Sequence, residues 1–119
     1  MQDFTKLRVW RAADDLTVAI YSVTRSFPAD ERYGLTSQVR RSAASIAANI
    51  AEGCGRRTRK DVARFIQNAI GSASETANHL HLARRLDYLA DTRHSELEAE
   101  LIHVRRMLRR LLFRLRAHT

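Results

Sequence analysis

A single proline, four glycines and one cysteine are all that 119 residues hold of the types that break or staple a chain. The lone Cys54 excludes an internal disulfide and fits a reducing cytoplasm, the compartment expected here. No apolar run exceeds the four residues from Val18 to Tyr21, which excludes a transmembrane helix and makes a membrane an unexpected partner. The first residues carry Asp3 and Lys6 without an apolar h-region, so no secretory signal is expected. Period-two alternation is missing over any useful length, as are repeats and low-complexity tracts. Lysine is scarce too: Lys6 and Lys60 are two of the 21 basic residues, and the rest are arginine.

What is present is helical. Leucine and alanine recur in almost every segment, and the length suits one compact domain over residues 1–119. Val9, Ala13, Leu16, Ile20, Val23 and Phe27 step 4-3-4-3-4 and predict a first helix over residues 6–26, stopped by Pro28. Leu35, Val39, Ala43, Ile46 and Ile50 predict a second, capped by Thr36 or Ser37, with Gly53 and Gly55 free to take the left-handed C-terminal conformation. Thr58 and Asp61 resemble a capping box and open a third helix through Val62, Phe65, Ala69, Ala73, Leu80, Ala83 and Leu86. Thr92 is the expected cap of a fourth, with Leu97, Leu101, Val104, Leu108, Leu111 and Leu115 as its seam. Four amphipathic helices with short connections predict an all-α, up-down-up-down antiparallel four-helix bundle, with Ile20, Ile46, Phe65 and Leu108 in the shared core. The alanine-rich second helix offers a thin surface to its neighbours. Gly71, in the middle of the third, is expected to serve close packing, or else a kink.

The formal net charge is +8, from 21 basic and 13 acidic residues. Arginine's planar fork grips phosphate or carboxylate bidentately, so a polyanionic partner, RNA or DNA, competes with a plain solvated helix surface as the explanation. From Val104 to Thr119 there are six arginines and no acid. On a wheel of about 100° per residue, Arg105, Arg109 and Arg116 flank the seam of the fourth helix, while Arg106, Arg110 and Arg114 point away from it. Arg56, Arg57, Arg59 and Lys60 form a second basic cluster between helices two and three. Ile102 and Phe113 point outward among the arginines and, with Trp10, are expected to form an oligomer interface.

The stretch from Gln38 to Gly53, ending Asn49-Ile50-Ala51-Glu52-Gly53 and followed by Gly55-Arg56, resembles the four-helix-bundle family of 23S rRNA intervening-sequence proteins. Val9-Trp10 with Ala13, Phe27-Pro28 with Glu31 to Leu35, and Gly71-Ser72 with Glu75 support the likeness, which runs from about Leu7 to Leu115. The resemblance implies a small cytoplasmic protein related to the accessory variability determinant of diversity-generating retroelements. That relative implies self-association as a pentamer, and nucleic acid and a reverse transcriptase as partners. It does not fix the arginines of the fourth helix.

Catalytic signals are weak, and no enzyme, cofactor or metal is expected. Glu100 and His103 form one Glu-x-x-His unit, whereas a di-iron bundle site needs a second unit and further glutamates. His79 and His81 point about 200° apart on a helix. Cys54 has no ligand-spaced partner. Asn49 and Glu52 share a face near a helix C-terminus, where a carboxylate is disfavoured. A hydrogen-bonded clasp between helix ends, with Arg40, Arg41, Arg56 or Arg57 answering Glu52, is the expected use of that pair.

Overall fold

The computed structural model describes residues 3–117. Four helices carry the chain: α1 (Arg8–Thr24), α2 (Leu35–Cys54), α3 (Arg59–Arg85) and α4 (Asp91–Ala117). Single 3-10 turns stand before α1, at Phe4–Lys6, and between α1 and α2, at Ala29–Glu31. Backbones approach between α1 and α2, α2 and α3, α3 and α4, and α4 and α1, and across neither diagonal among the described residues. Cross-helix bonds run in opposite directions along the chain. Thr17 meets Ala43 and Thr24 meets Arg40; Ser42 meets Thr76 and Ser45 meets Ser72. The result is an up-down-up-down bundle 46 Å long, close to the roughly 40 Å expected of a 27-residue helix.

The core is a column of Leu16, Ile20, Val39, Ile46, Ile50, Ile66, Leu80, Leu97, Leu101 and Leu108. Its rows follow a straight helix of 3.6 residues per turn more closely than a heptad. Thr24 is buried at the end of α1 where Val23 was expected, and Leu112 near the end of α4 where Leu111 was expected. Phe65 also departs from expectation. It is half-buried, and the guanidinium groups of Arg56 and Arg64 lie over its ring at 4.7 and 4.6 Å.

One end of the bundle is tied by a carboxylate. Glu31 Oε1 accepts from the backbone N–H of Leu35 at 3.2 Å, supplying the α2 cap expected of Thr36 or Ser37. Its Oε2 accepts from the Tyr88 hydroxyl at 3.0 Å, and the Tyr88 ring packs on Phe27 at 5.6 Å. Gly34 makes room for this arrangement, since a Cβ there would lie 2.7 Å from Glu31 Oε1. Past α3 the backbone N–H of Tyr88 donates to Ala83 and that of Asp87 to Arg84, with Asp87 at φ 61°. This is a Schellman turn in which aspartate holds the left-handed position usual for glycine. Thr92 lies inside α4, so it is no cap.

The glycines expected to turn or kink the chain do neither. Gly53 and Gly55 have negative φ, and Gly53 sits inside α2 where a Cβ would press to 3.1 Å on the Cβ of Phe65. Its use is close approach of α2 to α3. Gly71 is exposed in unbroken α3, and a Cβ there would meet nothing within 4 Å. Close packing within the chain is therefore not its explanation.

Two stability tests follow from this end and this glycine. Gly71→Ala should raise stability by about 0.5–1 kcal/mol in chemical denaturation, whereas Gly34→Ala should lower it by about 1 kcal/mol through loss of the Glu31 cap. The hydrogen bond to Glu31 holds the Tyr88 phenol above its ordinary range, with burial adding to the effect. A raised folded value stabilises the bundle below the ordinary tyrosine range, near pH 10, and that share is lost as pH rises through the folded value. Alkaline melting curves should therefore fall more steeply for the native chain than for Tyr88→Phe.

Candidate nucleic-acid interface

Antiparallel order brings the starts of α1 and α3 to the same end as the finishes of α2 and α4. That end collects Lys6, Arg8 and Arg11, then Arg56, Arg57, Arg59, Lys60 and Arg64, then Arg109, Arg110, Arg114 and Arg116. Among the described residues of these segments the acids are Asp3, Glu52 and Asp61. Thr58 positions the turn by accepting the Asp61 N–H at 3.1 Å, which starts α3 as the capping pattern predicts. Glu52 pairs with Arg56 at 3.2 Å, but both side chains are exposed and one turn apart, so the pair is worth little.

Clefts open at this end, and three of them join different segments. One of about 400 Å³ lies between the start of α1 and the last turns of α4, lined by Lys6, Arg8, His103, Arg110 and Arg114 over Leu7, Val9, Met107 and Leu111. A second, of about 330 Å³, is rimmed by Arg56, Arg57 and Arg59 over Val62, Leu111 and Leu115. The third, of about 550 Å³, joins Lys60 and Arg64 of α3 to Arg116 of α4, with Asp61 and Gln67. The expected basic residues thus come together, except that Arg105 and Arg106 sit near the middle of α4. Arg105 is half-buried, and its Nε has no hydrogen-bond partner. Lys6, Arg8, Arg11 and Arg64 were missed by sequence reasoning. The first three belong to another sequence segment, which the bundle order aligns with α4, and Arg64 lies one turn past the expected Lys60.

Cys54 stands in the wall of the second cleft. Burial pushes its thiol above the ordinary range, and the negative charge of Asp3 adds to this, which disfavours the thiolate. Glu100 and His103 are both exposed on α4, and His79 bonds Glu75 at 3.2 Å one turn away. Among the described residues no three His, Cys, Asp or Glu side chains gather to hold a metal ion.

Of the clasp expected of Asn49 and Glu52, one part forms: Arg56 answers Glu52 at 3.2 Å, as expected, whereas Asn49 links no helix ends and donates within α2 to the Ser45 carbonyl at 2.8 Å and to Ser45 Oγ at 3.0 Å. Arg40 instead donates to Thr24 Oγ1 at 2.8 Å and lies over Tyr21. What joins α2 to α3 is a pair of hydroxyl bridges, Ser45–Ser72 at 2.8 Å and Thr76–Ser42 at 2.9 Å. Small side chains between two helices were legible in the sequence, but their pairing was not.

The outer face of α4 exposes Ile102 (40%) and Phe113 (75%), and Phe113 stands between Arg109, Arg110 and Arg114. Trp10 is half-buried, with its indole edge-on to Phe4 at 5.1 Å. Val18 and Tyr33 are further exposed apolar side chains that the periodic pattern did not single out.

The sequence profile of the 23S rRNA-intervening sequence proteins matches residues 5–110 of the chain. A crystal structure of a protein of unknown function from the S23 ribosomal protein family, from Bacteroides thetaiotaomicron, has the same fold. It superposes with a TM-score of 0.79 at 22% identity, covering 87% of this chain and 97% of that one. No curated protein matches the sequence.

Proposed function

The chain belongs to the 23S rRNA-intervening sequence protein family, and from that premise we propose that it is a non-enzymatic protein that binds nucleic acid through the basic end of its bundle. The observation that carries this reading is the gathering, at one end, of arginines from α1, α3, α4 and the turn between α2 and α3, with few acids between them. A polyanion meets a field there that the other end does not offer, because Asp30, Glu31, Asp87, Asp91 and Glu96 alternate with arginines at that end. Ion pairs such as Arg93–Glu96 at 3.2 Å neutralise part of what remains. The basic end lacks any recognition helix aimed at base edges, so its contacts are with phosphate and tolerant of sequence.

Self-association is the second part of the proposal. Phe113 and Ile102 are exposed apolar side chains about three turns apart on α4, outside the core and set among arginines, as a contact between copies requires. Five copies closing into a ring is the form that the likeness to the retroelement accessory protein favours. A contact between unlike faces closes in this way when its rotation permits. The competing reading, a structural oligomer without a nucleic-acid role, assigns the α4 arginines to salt bridges between copies.

Gel shifts at two salt concentrations test the first part. Binding should weaken steeply with salt, log K falling by about 0.7–0.9 per neutralised phosphate for each decade. Replacing Arg59, Arg110 and Arg114 together by glutamine should flatten that slope while leaving the helical signal unchanged. No shift at low salt with micromolar protein ends the nucleic-acid reading. If the triple change instead halves or further lowers the mass measured by light scattering, the arginines bridge copies. Monomer mass for the native chain at tens of micromolar ends self-association.

A further inference from the structure

The clefts at the basic end are not plain patches of charge. We infer that the two clefts meeting at Leu7 and Leu111 take the bases of a single-stranded nucleic acid, whose phosphates lie on the arginine rims, in preference to a duplex. This rests on the nucleic-acid reading above and adds the kind of strand.

Both clefts pair an apolar floor with a cationic rim, and no carboxylate lines either. The first offers Met107 and Leu111 beneath Arg110 and Arg114; the second shares Leu111 and rises to Arg57. At about 400 and 330 Å³ they fall at the small end of ligand-sized cavities, with room for a planar ring. Their common wall makes them neighbours, as successive nucleotides of one strand would need.

A duplex brings phosphates to such a surface but keeps its base faces stacked inside, so the apolar floors would stay uncovered or wet. A single strand offers both parts at once, ring faces for the floors and phosphates for the rims. Arginine strengthens the case over lysine, because its flat guanidinium stacks on rings as well as binding phosphate. In this molecule Arg56 and Arg64 already lie over the ring of Phe65 at 4.7 and 4.6 Å. Stacking on aromatic platforms changes affinity by roughly 5- to 150-fold per base. A thioether and aliphatic floor belongs near the lower end, so two sites together should give about tenfold or more.

Fluorescence anisotropy at one fixed salt concentration tests this with a uridine-only RNA strand, a thymidine-only DNA strand and a duplex of equal length. Both single strands should bind at least about tenfold tighter than the duplex. Met107→Gln removes apolar floor at a half-exposed position without touching charge. It should lower single-strand affinity several-fold and leave duplex affinity unchanged. Equal affinity for strand and duplex, or an equal loss for both in Met107→Gln, overturns the inference and leaves the nucleic-acid reading standing. Absence of binding to all three probes removes both.

Discussion

The antiparallel closure of four helices is the constraint on which the charge map depends. With short connections each helix must reverse its predecessor, so the start of α1 lies beside the finish of α4 at one end. The same rule brings the turn between α2 and α3 there. Basic runs separated by some fifty residues of chain therefore become neighbours. A bundle with a long crossover connection would send them to opposite ends, and the same composition would then make a diffuse positive surface. Each end holds two helix N-termini and two C-termini, so the macrodipoles largely cancel. The field at the basic end belongs to its side chains.

The two ends are built on different physics. At one, Glu31 ties the start of α2 to Tyr88, 57 residues on, and the aromatic pair Phe27–Tyr88 seals the core. At the other, the core runs out into clefts floored by half-buried Leu7, Val62, Leu111 and Leu115. Close approach of α2 to α3 at Gly53 keeps this second end narrow, because no side chain separates the helices there. A sealed end and an open end suit a molecule that presents one end to a partner.

Much of the fold was legible in the sequence, and the misses have physical causes. Four apolar periodicities and one proline place four helices, and Ile20, Ile46 and Leu108 are fully buried as their spacing predicts. The heptad-like reading failed at Val23 and Leu111 because a straight helix drifts by about 20° per heptad, enough to rotate Thr24 and Leu112 inward by the last turn. Capping failed at Thr36 and Thr92 because the carboxylate of Glu31, four residues before Leu35, and the chain's own turn geometry were better placed than those hydroxyls. Phe65 carries the right spacing for the core, yet it lies near the open end, where arginine planes cover it. The expected basic residues were found from their runs along the chain and a helical wheel. Lys6, Arg8 and Arg11 needed the topology.

Concentrating cations without matching acids has a thermodynamic consequence for the bundle itself. Like charges gathered at one end of the folded bundle repel and separate in the unfolded chain, so the basic end lowers stability in the absence of a counter-charge. Exposed pairs such as Arg56–Glu52 offset little of this. A polyanion that binds the folded end and not the dispersed arginines of the unfolded chain recovers the difference, and the folded state gains by mass action. Under the proposed function, the same charges that weaken the free bundle thus couple its stability to occupancy. The sealed end, anchored by Glu31 and its aromatic neighbours, alternates acids with its arginines and carries no such repulsive cluster.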